Sequence, residues 1–104
     1  MRLLTDEIKQ RFELYPLYSQ ESKGINNTVI VKYFNPAGSG TWLITEAEEQ
    51  EDGDWLLFGY CHIFCWEWGY VSLRELQSVK LPLGLTIERD LYISKDATVK
   101  ELIA

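Results

Sequence analysis

The sequence is poor in positive charge, and no two of its cationic residues are adjacent. Its 104 residues include 10 Lys and Arg against 16 Asp and Glu, which gives a formal net charge of −6. Sequence-independent binding of nucleic acid needs Lys and Arg to displace counterions from phosphates, and an anionic membrane surface also attracts basic segments. The composition therefore argues against direct nucleic-acid binding and against membrane association.

Long apolar runs and numerous cysteines are also lacking. The longest apolar stretch, 55–58, is far too short to span a bilayer, and the first residues become acidic before an apolar signal-peptide core can form. Cys61 and Cys65 are too few for the disulfide scaffold of a secreted domain. We therefore expect a cytoplasmic protein without a membrane segment.

Side chains that perform catalysis or bind metals are scarce. His62 is the only histidine, and no nucleophile-elbow or metalloprotease motif surrounds it. On a strand, Cys61 and Cys65 would lie roughly 13 Å apart, at about 3.3 Å per residue, with His62 on the opposite face. That spacing opposes both a disulfide and a zinc site. The pattern favours structural cysteines over metal ligation or redox chemistry, and we expect no metal and no cofactor.

The hydrophobic pattern predicts one small α+β domain over residues 1–104. A chain of 12.1 kDa can bury roughly two-thirds of its unfolded surface, which suffices for one core. Runs rich in β-branched and aromatic residues predict strands at 28–34, 41–47 and 55–64, with a candidate fourth strand at 86–93. Capping residues predict short helices after Thr5, Ser72 and Thr98. We expect an antiparallel meander of three to four strands packed against two or three short helices.

An acidic run at the end of the second predicted strand is the strongest charge feature. It places six carboxylates within nine residues: Glu46, Glu48, Glu49, Glu51, Asp52 and Asp54. Such a run is either a solvated hairpin tip that protects edge strands or a patch that attracts a cationic partner and imitates the spacing of phosphates. The residue pattern of a calcium loop is absent.

Aromatic density and a second charge cluster supply further candidates for partner binding. The stretch 66–70 holds too many large rings to bury all of them, and exposed Trp and Tyr residues often anchor interfaces. We therefore take Trp42, Trp68 and Tyr70 as binding candidates. In Glu88-Arg89-Asp90, strand alternation would place both acids on one face and Arg89 on the other; this cluster forms either an internal salt bridge or part of a binding surface.

A series of short segments spread over nearly the whole chain carries a family resemblance. The segments are Leu3-Leu4-Thr5, Leu17-Tyr18-Ser19-Gln20-Glu21, Phe34-Asn35-Pro36, Thr41-Trp42, Thr45-Glu46, Phe58-Gly59, Glu67-Trp68-Gly69-Tyr70, Ser72-Leu73, Glu75-Leu76, Gly84-Leu85 and Ile87-Glu88-Arg89-Asp90. Their order and spacing resemble the bacterial domain-of-unknown-function family 2958, which is met largely on plasmids and integrated conjugative elements. The resemblance implies a mobile-element setting and no catalytic residue. Cys61 and Cys65 stand where that family usually has ordinary apolar residues.

Three functional hypotheses follow. The first is a non-enzymatic, acidic protein-binding module of a mobile element, in its narrowest form an anti-CRISPR or antirestriction inhibitor that occupies the nucleic-acid channel of a defence protein. The alternative is a small hydrolytic enzyme with Glu46, Glu88, Arg89 and Asp90 in one pocket and Gln20 and Glu21 near its rim. The third is a structural protein that forms a homodimer through exposed aromatic residues. The order of the strands beyond the meander stays open.

Overall fold

A five-stranded antiparallel sheet forms the centre of the structure, a computed structural model that describes residues 1–104. The strands are β1 (Val31–Phe34), β2 (Thr41–Glu49), β3 (Trp55–His62), β4 (Trp66–Ser72) and β5 (Glu88–Arg89). The helices are α1 (Asp6–Leu14), α2 (Leu73–Ser78) and α3 (Val99–Ile103), with short 3₁₀ turns at Glu21–Asn26 and Pro82–Gly84. The predicted α+β class is confirmed, with one strand more than expected.

The strand order is β4-β3-β2-β1-β5, and every neighbouring pair is antiparallel. The first four strands form the expected meander, and β5 pairs with the outer side of β1. The predicted fourth strand is thus reduced to the two residues of β5. The additional strand is β4, where Trp66, Trp68 and Tyr70 alternate with Glu67 and Gly69, as a strand of period two requires.

The predicted strand ends differ from the observed ones where the chain turns. The third strand ends at His62 because residues 63–65 form the turn into β4, so Cys65 is exposed in that turn and does not continue the strand. The first strand begins at Val31 instead of Thr28, which forms an isolated bridge with Thr98.

The helix starts agree with the predicted capping residues. The Thr5 hydroxyl accepts the Ile8 N–H at 3.2 Å, and the Ser72 hydroxyl accepts the Glu75 N–H at 3.3 Å. Thr98 forms the complete capping box with Glu101. Each hydroxyl satisfies a backbone donor that has no partner inside its helix.

One side of the sheet, the core face, carries the main hydrophobic cluster. Helices α1 and α2 cover it and contribute Phe12 and Leu73, which pack with strand residues such as Tyr33, Ile44 and Leu57. We call the opposite side the second face. It carries a smaller cluster in which Val29, Leu43 and Val99 pack near α3. Both faces of the sheet are therefore at least partly covered.

Gly59 of β3 packs directly against the backbone of β2, and this generates a test of the fold. A Cβ at this position would collide with the Leu43 carbonyl, whereas a Cβ at Gly69, its partner on β4, would meet no atom within 4 Å. We expect Gly59→Ala to lower the free energy of unfolding by about 1–3 kcal/mol or more, because the clash is with backbone. Gly69→Ala should change it by less than about 0.5 kcal/mol. Urea denaturation measures both values, and equal losses would contradict the close approach.

Candidate functional site

A β-bulge in β2 creates the geometry of the site. The register between β2 and β3 shifts between Ile44 and Glu46, so that Thr45 is the extra residue. Ile44 and Ala47 both belong to the core cluster, although regular alternation would place residues three apart on opposite faces. The bulge therefore turns Glu46 toward the second face while the core residues on either side keep their positions.

Glu46 is a buried anchor for the chain between α1 and β1. Its side chain is almost fully enclosed, since the residue is 3% exposed. One carboxylate oxygen accepts the Tyr18 N–H at 2.8 Å, and the other accepts the Gln20 N–H at 2.9 Å. The bond to Tyr18 holds that residue in the left-handed region, with φ at 72°. The interpretation of Glu46 as part of an exposed acidic patch is wrong, because these contacts remove it from the surface.

Gln20 completes a buried polar network with Glu46. Its side-chain amide donates to the carbonyls of Thr28 at 2.9 Å and of Thr45 at 2.8 Å, and its side-chain oxygen accepts the Thr28 N–H at 2.8 Å. Asn27 supports the same loop by donating to the carbonyls of Gln20 and Gly24. No buried polar side-chain atom of the protein lacks a hydrogen-bond partner. The network thus fixes the 18–28 segment against β2.

Five aromatic side chains of β3 and β4 form a row on the second face. They interlock across the strand pair with ring centroids 4.8–5.7 Å apart, and they are Phe58, Tyr60, Trp66, Trp68 and Tyr70. Trp66 and Tyr60 pack toward α3, whereas Trp68 and Tyr70 stay 37% and 53% exposed. The prediction that this stretch leaves rings exposed is confirmed.

Trp42 does not join this row. It is half-buried and packs against the main core cluster on the other side of the sheet. The structure therefore separates Trp42 from Trp68 and Tyr70, with which the sequence analysis grouped it as a binding residue.

The exposed end of the aromatic row and the 18–28 segment enclose a cavity of about 280 Å³, which we call the aromatic cleft. Its lining consists of four rings, two carboxylates, two amides and a glycine: Tyr18, Phe58, Trp68, Tyr70, Glu21, Glu46, Gln20, Asn27 and Gly24. No Lys or Arg lines it. The volume is near the lower end of the range for ligand pockets, roughly 300–1,000 Å³. The cleft is thus acidic and aromatic, with the size of one side chain or one small molecule.

The charges of the cleft act on one of its phenols. The pKa of Tyr70 is raised above its ordinary value, first by the neighbouring Tyr18 hydroxyl, then by burial, and then by repulsion between the ionised phenol and the carboxylates of Glu46 and Glu21. A cation placed among these groups would relieve that repulsion. The sequence pattern places Gln20 and Glu21 near Glu46 but does not indicate Tyr18, Asn27 or Phe58. The 18–28 segment is held by contacts with Glu46 that depend on the bulge in β2, and no sequence motif marks a bulge.

The tip of the β2–β3 hairpin carries four exposed carboxylates, which we call the acidic tip: Glu48, Glu49, Glu51 and Asp52. Glu48 pairs with Leu56, two residues closer to the hairpin turn than the pair of Glu46 and Phe58. The tip therefore lies at the end of the same two strands, β2 and β3, that contribute Glu46 and Phe58 to the cleft. An exposed ion pair joins Asp52 to Arg74 at 3.2 Å.

Asp54, the last acid of the run, has a structural role. Its carboxylate accepts the Ser72 hydroxyl and the backbone N–H groups of Trp55 at 2.7 Å and Arg74 at 3.1 Å. These bonds join the hairpin to the start of α2. Burial raises the pKa of Asp54, but the bonds from Ser72 and the backbone and the charge of Arg74 outweigh it, so the pKa is lowered overall.

The Glu88-Arg89-Asp90 cluster lies at the far edge of the sheet. Arg89 pairs with Tyr33 and donates from Nε to the Arg2 carbonyl at 3.2 Å, while Asp90 forms an ion pair with Lys32 at 3.6 Å. Strand β1 separates β5 from β2, and the register aligns Arg89 and Glu88 with Trp42 and Thr41, at the opposite end of β2 from Glu46. The hypothesis of one catalytic pocket with Glu46, Glu88, Arg89 and Asp90 is therefore wrong for this structure.

The cysteines and the histidine form no site. Burial, with a contribution from the charge of Glu67, raises the pKa of Cys61 to about 11, which disfavours a thiolate at neutral pH. The His62 ring packs edge-on against Trp66 at 5.1 Å. No group of three or more His, Cys, Asp or Glu side chains is arranged to hold a metal ion.

None of the helices combines the length and the apolar character needed to cross a membrane.

The polar network around Gln20 predicts that the nearly isosteric substitution Gln20→Glu lowers the stability of the protein strongly. Gln20→Glu replaces the amide that donates to two carbonyls with a carboxylate beside Glu46, so two acceptors lose their donor and two like charges become neighbours. We expect the free energy of unfolding at pH 7 to fall by about 3 kcal/mol or more, measured by urea denaturation. Gln10→Glu, on the exposed side of α1, is the control. Similar values for both variants would contradict the network.

The lowered pKa of Asp54 predicts how stability changes with pH. Because the folded state favours the ionised carboxylate, this residue stabilises the protein above its ordinary pKa, near 3.8, and the contribution is lost as the pH falls through the lower folded value. Asp54→Asn should therefore be less stable than the natural chain at pH 7, and the gap should close toward pH 3. Urea denaturation from pH 7 to pH 3, with Asp96→Asn as control, checks this. A gap independent of pH would contradict the assigned role.

Comparison with known proteins agrees with the resemblance noted in the sequence. Neither the curated proteins nor the solved structures include a match to this chain. One family model matches residues 3–104, and its description is "Protein of unknown function (DUF2958)". Since the match covers nearly the whole sequence, the chain belongs to the DUF2958 family.

Proposed function

We propose that the chain is a non-enzymatic binding module that holds a basic segment of a protein partner against the aromatic cleft and the acidic tip. The observation that carries this proposal is the composition of the cleft, in which four aromatic rings and two carboxylates are gathered without a cation. Ring faces and carboxylates both attract positive charge. The same combination disfavours an anionic ligand such as a nucleic acid.

The position of the acidic tip supports a macromolecular partner over a small molecule. The tip lies next to the cleft on the same strand pair, and its four carboxylates are exposed. A lone metabolite would occupy the cleft without needing this tip, whereas a basic protein segment would reach both. Clustered charge of one sign also accelerates association with an oppositely charged partner.

The narrowest form of the proposal is an anti-defence inhibitor carried by a bacterial mobile element. Such a protein would occupy the basic nucleic-acid channel of a CRISPR effector or a restriction enzyme, with the acidic tip standing in for phosphates. The net charge of −6 fits such a target. The rival hypothesis of a structural homodimer is tested by sedimentation, which would give twice the monomer mass.

Neutralising the acidic tip tests the proposal and removes only one exposed ion pair, that of Asp52 and Arg74, which the control variant matches by removing the exposed pair of Glu7 and Lys95. The structure excludes Glu46 and Asp54 from this variant because both make buried or capping hydrogen bonds. The tip variant is therefore Glu48→Gln, Glu49→Gln, Glu51→Gln and Asp52→Asn. A matched control neutralises four exposed acids elsewhere, at Glu7, Glu13, Glu75 and Asp96. Both variants have a net charge of −6 + 4 = −2.

We expect the tagged natural chain and the control to capture the same protein partner from a nuclease-treated bacterial lysate that carries defence systems. The tip variant should lose at least about nine-tenths of that partner, since loss of four carboxylates removes most of the electrostatic attraction. Mass spectrometry identifies and quantifies the captured protein. Equal capture by the tip variant and the control would contradict the proposal, as would capture that disappears with nuclease treatment.

A further inference from the structure

Glu46 is a buried carboxylate without a cationic partner. The ion pairs of the protein join Lys32 to Asp90, Arg74 to Asp52 and Lys95 to Glu7, and none involves Glu46. Buried carboxylates are rare unless they are paired with a positive charge. The two backbone N–H groups that Glu46 accepts satisfy about half of the lone-pair directions of a carboxylate. The charge of Glu46 therefore has room for one more donor from the cleft.

The aromatic rings of the cleft pack against one another beside this carboxylate. Phe58 and Trp68 lie nearly parallel, at 11° and 5.7 Å between centroids, and Tyr70 packs against Phe58 at 4.8 Å. Trp68 keeps part of its ring exposed to the solvent. Glu21, which is exposed, adds a second carboxylate to the lining. A planar cation can thus contact the exposed part of the Trp68 ring while its N–H groups point to carboxylate oxygens.

We propose that the aromatic cleft binds the guanidinium group of an arginine side chain. The inference rests on the proposed function, because it names the group by which the cleft would hold the basic partner. Arginine fits better than lysine for three reasons: its guanidinium is planar, stacks on aromatic faces and is more weakly hydrated than an ammonium. A cavity of about 280 Å³ accommodates one such side chain but not a long peptide.

A small arginine probe tests the cleft without knowledge of the partner. The probe is N-acetyl-arginine amide, and the neutral control of nearly identical shape is N-acetyl-citrulline amide. We expect the arginine probe to shift the indole N–H resonance of Trp68 in a ¹⁵N-labelled sample at millimolar concentration, while the citrulline probe leaves it in place. N-acetyl-lysine amide, with a free side-chain ammonium, should bind at least about fivefold more weakly, the size of one modest cation–π difference.

Three outcomes would overturn the assignment. Equal shifts with citrulline would show that charge is not recognised, and equal affinity for the lysine probe would show that the planar group is not selected. Shifts at the indole of Trp42, Trp55 or Trp66 without a shift at Trp68 would place the probe elsewhere.

Single-residue variants measure how much each lining side chain of the aromatic cleft contributes to binding of the arginine probe. Glu46→Gln removes the buried charge but also weakens the anchor of the 18–28 segment, so Glu21→Gln and Trp68→Ala complete the set. In Trp68→Ala, which lacks the indole N–H, binding is followed by the backbone amide resonance of Tyr70. We expect each variant to raise the Kd for the arginine probe by about fivefold or more. Glu67→Gln, an exposed change that alternation places on the opposite face of β4, should leave binding unchanged. Unchanged binding in both Glu21→Gln and Trp68→Ala would overturn the proposal.

The capture experiment distinguishes failure of this inference from failure of the proposed function. If the tip variant loses its partner while Trp68→Ala and Glu21→Gln retain it, the arginine assignment is wrong and the binding function stands. If all three variants retain the partner, the proposed function is wrong as well. Loss of the partner in both the tip and the cleft variants supports the function and the assignment together.

Discussion

The hydrogen bonds between the Glu46 and Gln20 side chains and the surrounding backbone hold the second face of the molecule together. The chain from Pro16 to Thr28 has no strand and only a short 3₁₀ turn, so it contributes little regular backbone pairing of its own. Five bonds from these two side chains fix it to β2 and to itself. Backbone groups that would otherwise be buried without partners are thereby satisfied. The cleft exists because this segment stays in place.

The two faces of the sheet differ, because the core face holds the main hydrophobic cluster and the second face holds the aromatic cleft. The core face is closed by α1 and α2 and consists of aliphatic and aromatic side chains that pack tightly. The second face is only partly covered, since the 18–28 segment and α3 leave the side chains of Trp68 and Tyr70 partly exposed to solvent. The bulge at Thr45 lets β2 contribute to both faces, because it keeps Ile44 and Ala47 in the core and directs Glu46 to the second face.

Local signals in the sequence predicted the local features of the fold, whereas the site depends on contacts between distant residues. Thr5, Ser72 and Thr98 mark helix starts because their hydroxyls bond within three residues. Strand β4 is absent from the predicted strands, although its alternating rings have the strand period, because these rings were weighed for burial and exposure and not for alternation. Glu46 resembles its acidic neighbours in composition, but its burial depends on Tyr18 and Gln20, which are 28 and 26 residues away. No local pattern carries that information.

The bulge at Thr45 also limits which insertions and deletions the chain can tolerate. Deleting Thr45 alone would leave Ile44 and Ala47 two residues apart, so regular alternation would keep both in the core and Glu46 on the second face. Adding or losing a residue elsewhere between Thr41 and Ala47, with the bulge retained, would turn the side chains on one side of the change to the opposite face. Residues 51–53 of the hairpin turn are exposed and lie outside both strands, so this turn tolerates changes of length better than the strands do. Among related chains, gaps should therefore gather at the hairpin turn, and a gap within β2 should fall at Thr45, where it removes the bulge and leaves the core and cleft residues on their faces.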